Sequence, residues 1–401
     1  MTGPLEGIRV LDLTSVLLGP LATQILGDMG ADVIKVEPPG GDAARHIGPN
    51  RNPGMAALFL AINRNKRSLV LDLKQPAARQ TLLDLASTVD VFVHNMRPQA
   101  IARLQLTYED LAMVRPDIIH CGAYGFRQAG PYRHKTAYDD IIQAGSGMAA
   151  LQGKFADAPR YVTSAIADKT VALFVVYAIT MALFHRERTG AGQAIEVPMF
   201  ESMVAFAMVE HLFGQTFEPP LSAAGYPRTL SPSRRPYATK DGYIGVLPFT
   251  DKQWTNLVEL AGRPELAADS RFTSVSKRLG NVDALYAELT AILATRTTAE
   301  WLAVLDAAHV PAMTVNGPED LPHDPHLEAV EFWRLMDHES EGMVRMTDVP
   351  VGMSRSPGDI RRLAPRLGQH SVEILKEAGL SASEIAALMQ SGATLQGEEQ
   401  S

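Results

Sequence analysis

Cysteine is almost missing from this chain. Cys121 is the only one among 401 residues, so an intrachain disulfide is impossible and a reducing, cytoplasmic setting is expected. Positive charge is also short, with 37 Lys and Arg against 45 Asp and Glu and a formal net charge of -8. That balance lacks the basic face of a general nucleic-acid binder, so no nucleic-acid partner is expected. No Gly-x-Gly-x-x-Gly follows the first strand-like run, which removes the phosphate-binding reason for a nicotinamide or flavin dinucleotide. There is no His/Cys cluster with metal-ligand spacing, no serine-centred elbow and no triphosphate loop. No metal and no permanently bound cofactor are therefore expected. The opening Met1-Thr2-Gly3-Pro4-Leu5-Glu6 has no basic stretch followed by an apolar one, so no signal peptide is expected. The most apolar window, Val171 to Phe184, is shorter than the roughly 20 residues that span a bilayer. It reads as a buried core or interface helix, with no membrane.

What is present is ordinary for a folded globular protein: 46% hydrophobic and 20% charged residues. At this length two domains are expected. Strand-like runs at Ile8–Leu13, Asp32–Glu37, Ser68–Leu73, Val91–His94 and Ile118–Tyr124 alternate with helical stretches at Leu21–Met29 and Pro76–Thr88. That rhythm predicts a Rossmann-like α/β domain with a parallel sheet. A long helix follows, ending near His185, then a break at Gly190-Ala191-Gly192, a strand at Gln193–Pro198 and a helix from Met199 to about Phe213. Between Glu218 and Pro236 five prolines interrupt the periodic pattern, which marks a linker or wrapped segment. Beyond it, strands at Tyr243–Leu247 and Ala312–Val315 and helices at Lys252–Ala261, Asn281–Thr295 and Thr298–Ala308 predict a smaller α+β domain. From Pro318 the chain reads as irregular until helices at Ser371–Ala378 and Ser381–Met389, and the last ten residues read as a polar, frayed end. The predicted layout is a large domain from residues 1–225, a small domain from 226–317, and a return segment, 318–401, that completes the large one.

Asp168 stands out, alone in Val162-Thr163-Ser164-Ala165-Ile166-Ala167-Asp168-Lys169 just before the apolar helix. A carboxylate there is costly unless satisfied or used. The bland reading is an N-cap, a role aspartate fills well. The Asp139-Asp140 pair reads as a solvated helix start.

Six blocks tip the balance. They are Leu26 to Asp42 (LGDMGADVIKVEPPGGD), Asn65 to Lys74 (NKRSLVLDLK), Asn95-Met96-Arg97-Pro98, Gly130-Pro131-Tyr132, Gln143-Ala144-Gly145-Ser146-Gly147 and Ala364 to His370. In this order they resemble class III CoA transferases, the CaiB/BaiF family, over nearly the whole chain. The resemblance implies an enzyme that is an intertwined homodimer, each chain threading a ring made by the other. CoA and acyl-CoA would be substrates, with a carboxylic acid as acceptor. It makes Asp168 the catalytic nucleophile, passing through an aspartyl anhydride and an aspartyl-CoA thioester. A carboxylate suits that role because it is ionised at neutral pH unaided, with an ordinary pKa of about 3.9, and a helix start favours the charged form. Lys169, its neighbour, is not expected to partner it, because adjacent helical residues point apart.

By the same resemblance Val16, Leu17, Leu18 and Gly19 would lie near the thioester. Leu71, Asp72, Leu73 and Lys74, with Asn95, Met96, Arg97 and Arg103, would flank the nucleotide and pantetheine. Lys135 to Asp139 would cover the other side, with Tyr138 as the expected contact and Asp139 included. Lys74, Arg97, Arg103 and Lys135 suit a ligand with several phosphate charges. Three departures are visible. Leu17 replaces a glutamine, and no glycine-rich flap appears around Ser231 to Arg235, as formyl-CoA transferases have them; Pro38 also replaces a basic residue of some relatives. Strict oxalate/formate specificity is therefore not expected. A 2-methylacyl-CoA racemase on this fold would need two positioned bases. Tyr138 stands where its histidine belongs, and His134, four residues earlier, is expected to lie elsewhere. Intramolecular CoA transfer would keep Asp168 and stays open.

Overall fold

Apolar alternation in six short segments builds one sheet with two covered faces. The computed structural model describes residues 3–397. Strands β1 (Arg9–Leu13), β2 (Asp32–Glu37), β3 (Lys66–Val70), β4 (Val91–His94), β5 (Ile119–Tyr124) and β6 (Gln193–Pro198) pair in parallel in the order β3-β2-β1-β4-β5-β6. Parallel pairing demands a crossover after each strand, so every loop that leaves a strand's C-terminal end opens on the same edge. The order reverses between β1 and β4, and open α/β sheets bind ligands in the crevice at such a reversal.

Period-two alternation assigns the two faces. Val10, Val33, Val91, Val93, Ile119 and Cys121 pack with Ala22 and Leu26 of the Leu18–Asp28 helix and with Val171, Val175 and Ile179 of the long helix. Their neighbours Leu11, Ile34, Leu69 and Phe92 face the Pro76–Ala86 helix and the C-terminal helices Ser371–Glu377 and Ala382–Gln390, through Leu82, Ile374 and Leu388. The C-terminal return is stitched to β3: the Val70 amide donates to Ser371 Oγ (3.2 Å) and Thr394 Oγ1 donates to the Val70 carbonyl (2.6 Å).

The chain divides into two compact units, one formed by Met1–Met148, Tyr161–Phe206 and His326–Ser401, the other by Ala149–Arg160 and Ala207–Pro325. The second unit has its own core, with Trp254, Phe272, Leu289 and Trp301 beneath a small antiparallel sheet of β7 (Tyr237–Ala238), β8 (Tyr243–Val246) and β9 (Ala312–Thr314). Its helices at Asp251–Leu260 and Thr298–Ala307 each start with a capping box, Thr250 with Gln253 and Thr297 with Glu300.

Three expectations are corrected. The stretch after Pro318 is not irregular: β10 (Trp333–His338) and β11 (Gly342–Thr347) form an antiparallel hairpin in the first unit. Most of its side chains are at least partly exposed, so the sequence lacks the apolar alternation of a half-buried strand. The long helix runs from Ile166 to Thr189, past the end expected near His185, and closes on Gly190 in the left-handed conformation. At 24 residues and a mean hydropathy of 1.7 it is long and apolar enough to cross a membrane by length and composition. Its inner face is nonetheless buried in the core at Val171, Val175, Ile179 and Leu183. The outer face leaves Leu173, Tyr177, Met181 and Phe184 between 46% and 65% exposed. Their spacing places them on one stripe.

Candidate active site

The first loop, after β1, is held residue by residue. Thr14 donates its amide (2.9 Å) and its hydroxyl (2.5 Å) to Asp12 Oδ1. The Ser15 amide donates to Asn95 Oδ1 (3.0 Å), and Asn95 Nδ2 returns a bond to the Ser15 carbonyl (2.9 Å). The Val16 amide donates to Asp42 Oδ1 (3.0 Å). Val16 has φ of +70°, a left-handed conformation that a β-branched side chain adopts only under constraint, at a cost on the order of 1–3 kcal/mol.

That constraint comes from a buried charge network under the loop. Lys35 Nζ lies 2.8 Å from Asp42 Oδ2 and donates to the Thr14 carbonyl at 3.0 Å. Lys66 Nζ lies 3.0 Å from Asp12 Oδ2, and Arg45 lies 2.7 Å from Glu37. All six side chains are buried. Opposed charges in a dry interior must be matched, and here they are. Burial still pushes Lys66 down to about 8, against the pull of Asp12.

Asp168 is the third residue of the long helix, whose N-cap is Ala165 with no side-chain cap bond. The N-cap reading is therefore set aside, and the helix start is capped from outside. Asp139 Oδ1 accepts the Asp168 amide (3.0 Å), while Asp139 Oδ2 accepts Gln143 Nε2 (2.5 Å). Asp168 is half-buried. Burial first, and the charge of Asp139 second, raise its carboxyl to about 6. The expectation of an ordinary carboxyl is corrected on this point: desolvation and a like charge outweigh the helix start. Lys169 turns away and donates to Ser164 Oγ.

Two cavities open along this edge. The smaller, about 240 Å³, is lined by Val16, Leu17, Leu18, Asn95, Met96, Arg97, Lys135, Tyr138 and Asp168. The larger, about 940 Å³, is lined by Leu71, Asp72, Leu73, Lys74, Met96 and Arg103. Ser15 and Met96 line both. Asp139 lines neither and instead stands behind Asp168. His134 does not lie elsewhere: it lines the Asp168 cavity, in contact with Gln99 Nε2 (2.6 Å) and Arg133 Nε (3.1 Å). The sequence reading also missed Arg79, a third cation on the larger cavity, where Pro38 forms part of the wall. Arg79 sits in the Pro76–Ala86 helix, and only the folding of that helix brings it there.

The arrangement suits an elongated anionic ligand. Lys74, Arg79 and Arg103 offer charge-assisted bonds at one end among leucines. A single carboxylate stands at the other end, in an adjoining cavity. Comparison with known proteins gives the same direction. The pattern described as CoA-transferase family III matches residues 5–371. This chain belongs to that family. It is 34% identical over 381 residues to the mouse (Mus musculus) succinyl-CoA:glutarate CoA-transferase, covering 93% of this chain and 86% of the relative. It is 36% identical over 386 residues to the acetyl-CoA:oxalate CoA-transferase of Acetobacter aceti, covering 94% and 96% respectively. A crystal structure of a CaiB/BaiF family protein from Brucella suis superposes with a TM-score of 0.79 at 32% identity, covering 94% of this chain and all of the other. This family III CoA-transferase is thus an enzyme acting on CoA thioesters.

Proposed function

We propose that this enzyme moves CoA from a short acyl-CoA to an acceptor dicarboxylic acid through covalent intermediates on Asp168. The observation that carries the reading is the presence of one half-buried carboxylate, Asp168, on a cavity that shares Ser15 and Met96 with the cation-lined one. The nucleotide end of CoA would lie along Lys74, Arg79 and Arg103, and the pantetheine arm would pass Ser15 and Met96 toward Leu17. Arg79 offers a cation where Pro38 leaves none. Dicarboxylate substrates are supported by the names of the relatives, which pair succinyl-CoA with glutarate and acetyl-CoA with oxalate.

The chemistry balances with no added reagent. An Asp168 oxygen attacks the thioester carbonyl, giving a mixed anhydride and free CoA thiolate. The thiolate attacks the aspartyl carbonyl, releasing the donor acid and leaving aspartyl-CoA thioester. The acceptor carboxylate attacks that thioester, and the expelled thiolate then takes the acceptor acyl group, returning Asp168 to its carboxylate. One difficult exchange becomes four acyl transfers. The test is a matrix of succinyl-CoA and acetyl-CoA donors against glutarate, oxalate and acetate. Turnover restricted to the dicarboxylic acceptors is expected; equal rates with acetate would remove the dicarboxylate assignment.

The titration of Asp168 gives a second expectation. Only the anion is nucleophilic, so the rate should fall as pH drops through about 6. Asp139→Asn keeps an oxygen for the Asp168 amide but removes the like charge, so the acid limb should move to lower pH. An acid limb at the same pH in both proteins would assign it to another group. We also infer the interlocked homodimer. The exposed apolar stripe Leu173, Tyr177, Met181 and Phe184 supports it. Light scattering should give twice the 43.5 kDa chain mass; a single-chain mass would contradict it.

A further inference from the structure

The second unit has a cavity of about 520 Å³ whose wall carries Arg228, Arg234 and Arg235 and no carboxylate. Among the described residues none of these three guanidiniums has an ion-pair or hydrogen-bond acceptor. The contrast within the same unit is sharp. Arg263 pairs with Glu265, Arg271 with Asp269 and Arg278 with Asp251, while Arg296 donates to the Leu260 carbonyl at 2.7 Å. In a chain with a net charge of -8, three unmatched like charges around one hollow repel one another.

The cations are not on a loose strand of chain. The turn that carries Arg234 and Arg235 is tied down: buried Ser231 donates its hydroxyl to Asp283 Oδ1 (2.5 Å) and accepts the Ser233 amide (3.2 Å), and its carbonyl accepts the Arg234 amide (3.1 Å). Asp283 is the nearby acid, and one of its oxygens is already taken by Ser231. Below the arginines lies an apolar floor, with Tyr237 buried and Leu247 and Met313 41% and 61% exposed. Planar guanidiniums match a carboxylate or phosphate in a two-pronged geometry, and exposed apolar side chains favour a ligand with methylene groups to cover them.

We propose that this cavity is an anion site for a short aliphatic carboxylate, held by Arg228, Arg234 and Arg235 with its carbon chain on Leu247 and Met313. The choice of a carboxylic acid over other anions rests on the transferase reading; the site itself is argued from the arginines. Phosphate groups share the recognising chemistry, so the test uses both. The full-length protein is titrated calorimetrically with glutarate and, separately, with adenosine 3′,5′-bisphosphate. In the Arg228→Gln/Arg234→Gln/Arg235→Gln protein glutarate should bind about tenfold or more weakly, ~1.4 kcal/mol, with bisphosphate binding unchanged. Met313→Glu, which places a carboxylate on the wall, should also weaken glutarate at an unchanged melting temperature. Unchanged glutarate binding in both variants overturns the site. Loss of bisphosphate binding, alone or together with glutarate, overturns the carboxylate assignment. Covalent labelling of Asp168 by acyl-CoA is read independently, so failure here leaves the transferase reading to its own test.

Discussion

Asp168→Asn should abolish CoA transfer, lowering the rate by about four orders of magnitude, or ~5.4 kcal/mol of barrier. The amide has no nucleophilic oxygen anion, so neither the anhydride nor the aspartyl-CoA thioester can form. Stability should be little changed, because Asp168 is half-buried and its backbone, not its side chain, makes the bond to Asp139. The proposed intermediate is open to capture. Incubation of the native enzyme with an acyl-CoA followed by hydroxylamine or borohydride should modify one peptide, the one containing Asp168, while the Asn variant stays unmodified by mass. Transfer at near-native rates by the variant would remove the covalent route. A modified peptide elsewhere would move the nucleophile.

The second large effect belongs to Asp42, a buried residue at the wall of the larger cavity. Asp42→Ala should cost about 3–5 kcal/mol of folding free energy, because it leaves the buried Lys35 ammonium without its nearest carboxylate. It also deletes the acceptor of the Val16 amide, so the loop after β1 loses the bond that holds Val16 at φ of +70°. Denaturant titration should show a lower midpoint, and activity should fall further than the unfolded fraction explains. The paired change Lys35→Met/Asp42→Leu removes both charges and should recover part of the stability without recovering activity. If Asp42→Ala proves as stable and as active as the native enzyme, the network has no hold on the loop.

The sequence exposed the sheet well where burial follows hydrophobicity. Asp32–Glu37, Val91–His94 and Gln193–Pro198 are strands at the expected bounds. β3 runs Lys66–Val70 and not Ser68–Leu73, because Lys66 and Arg67 are buried strand residues, paired with Asp12 and Asp32. The Leu18–Asp28 helix starts earlier than the Leu21 its spacing indicated, with Pro20 in its first turn; proline is tolerated there because those amides have no intrahelical partner. At the site, the positions carried by resemblance line one of the two cavities, apart from Gly19 and Asp139. The supports beneath them were harder to see. Asp12 and Lys35 each interrupt an apolar strand, which is the one signal a sequence offers for a buried charge network, whereas Lys66 at the start of β3 gives none. Which of them pair is decided by strand order, and strand order is a property of the fold.

The lone thiol also has a practical meaning for an enzyme that acts on CoA thioesters. Cys121 lies fully buried in β5, and burial pushes its thiol up to about 12. The reactive form, the thiolate, is therefore scarce at neutral pH. No sulfur of the protein can compete with CoA for an activated acyl group or trap the coenzyme as a mixed disulfide. A thiol-reactive dye added to the folded enzyme should leave Cys121 unmodified, and because complete transfer returns every CoA to a thioester, any colour during turnover would mark coenzyme lost from the exchange.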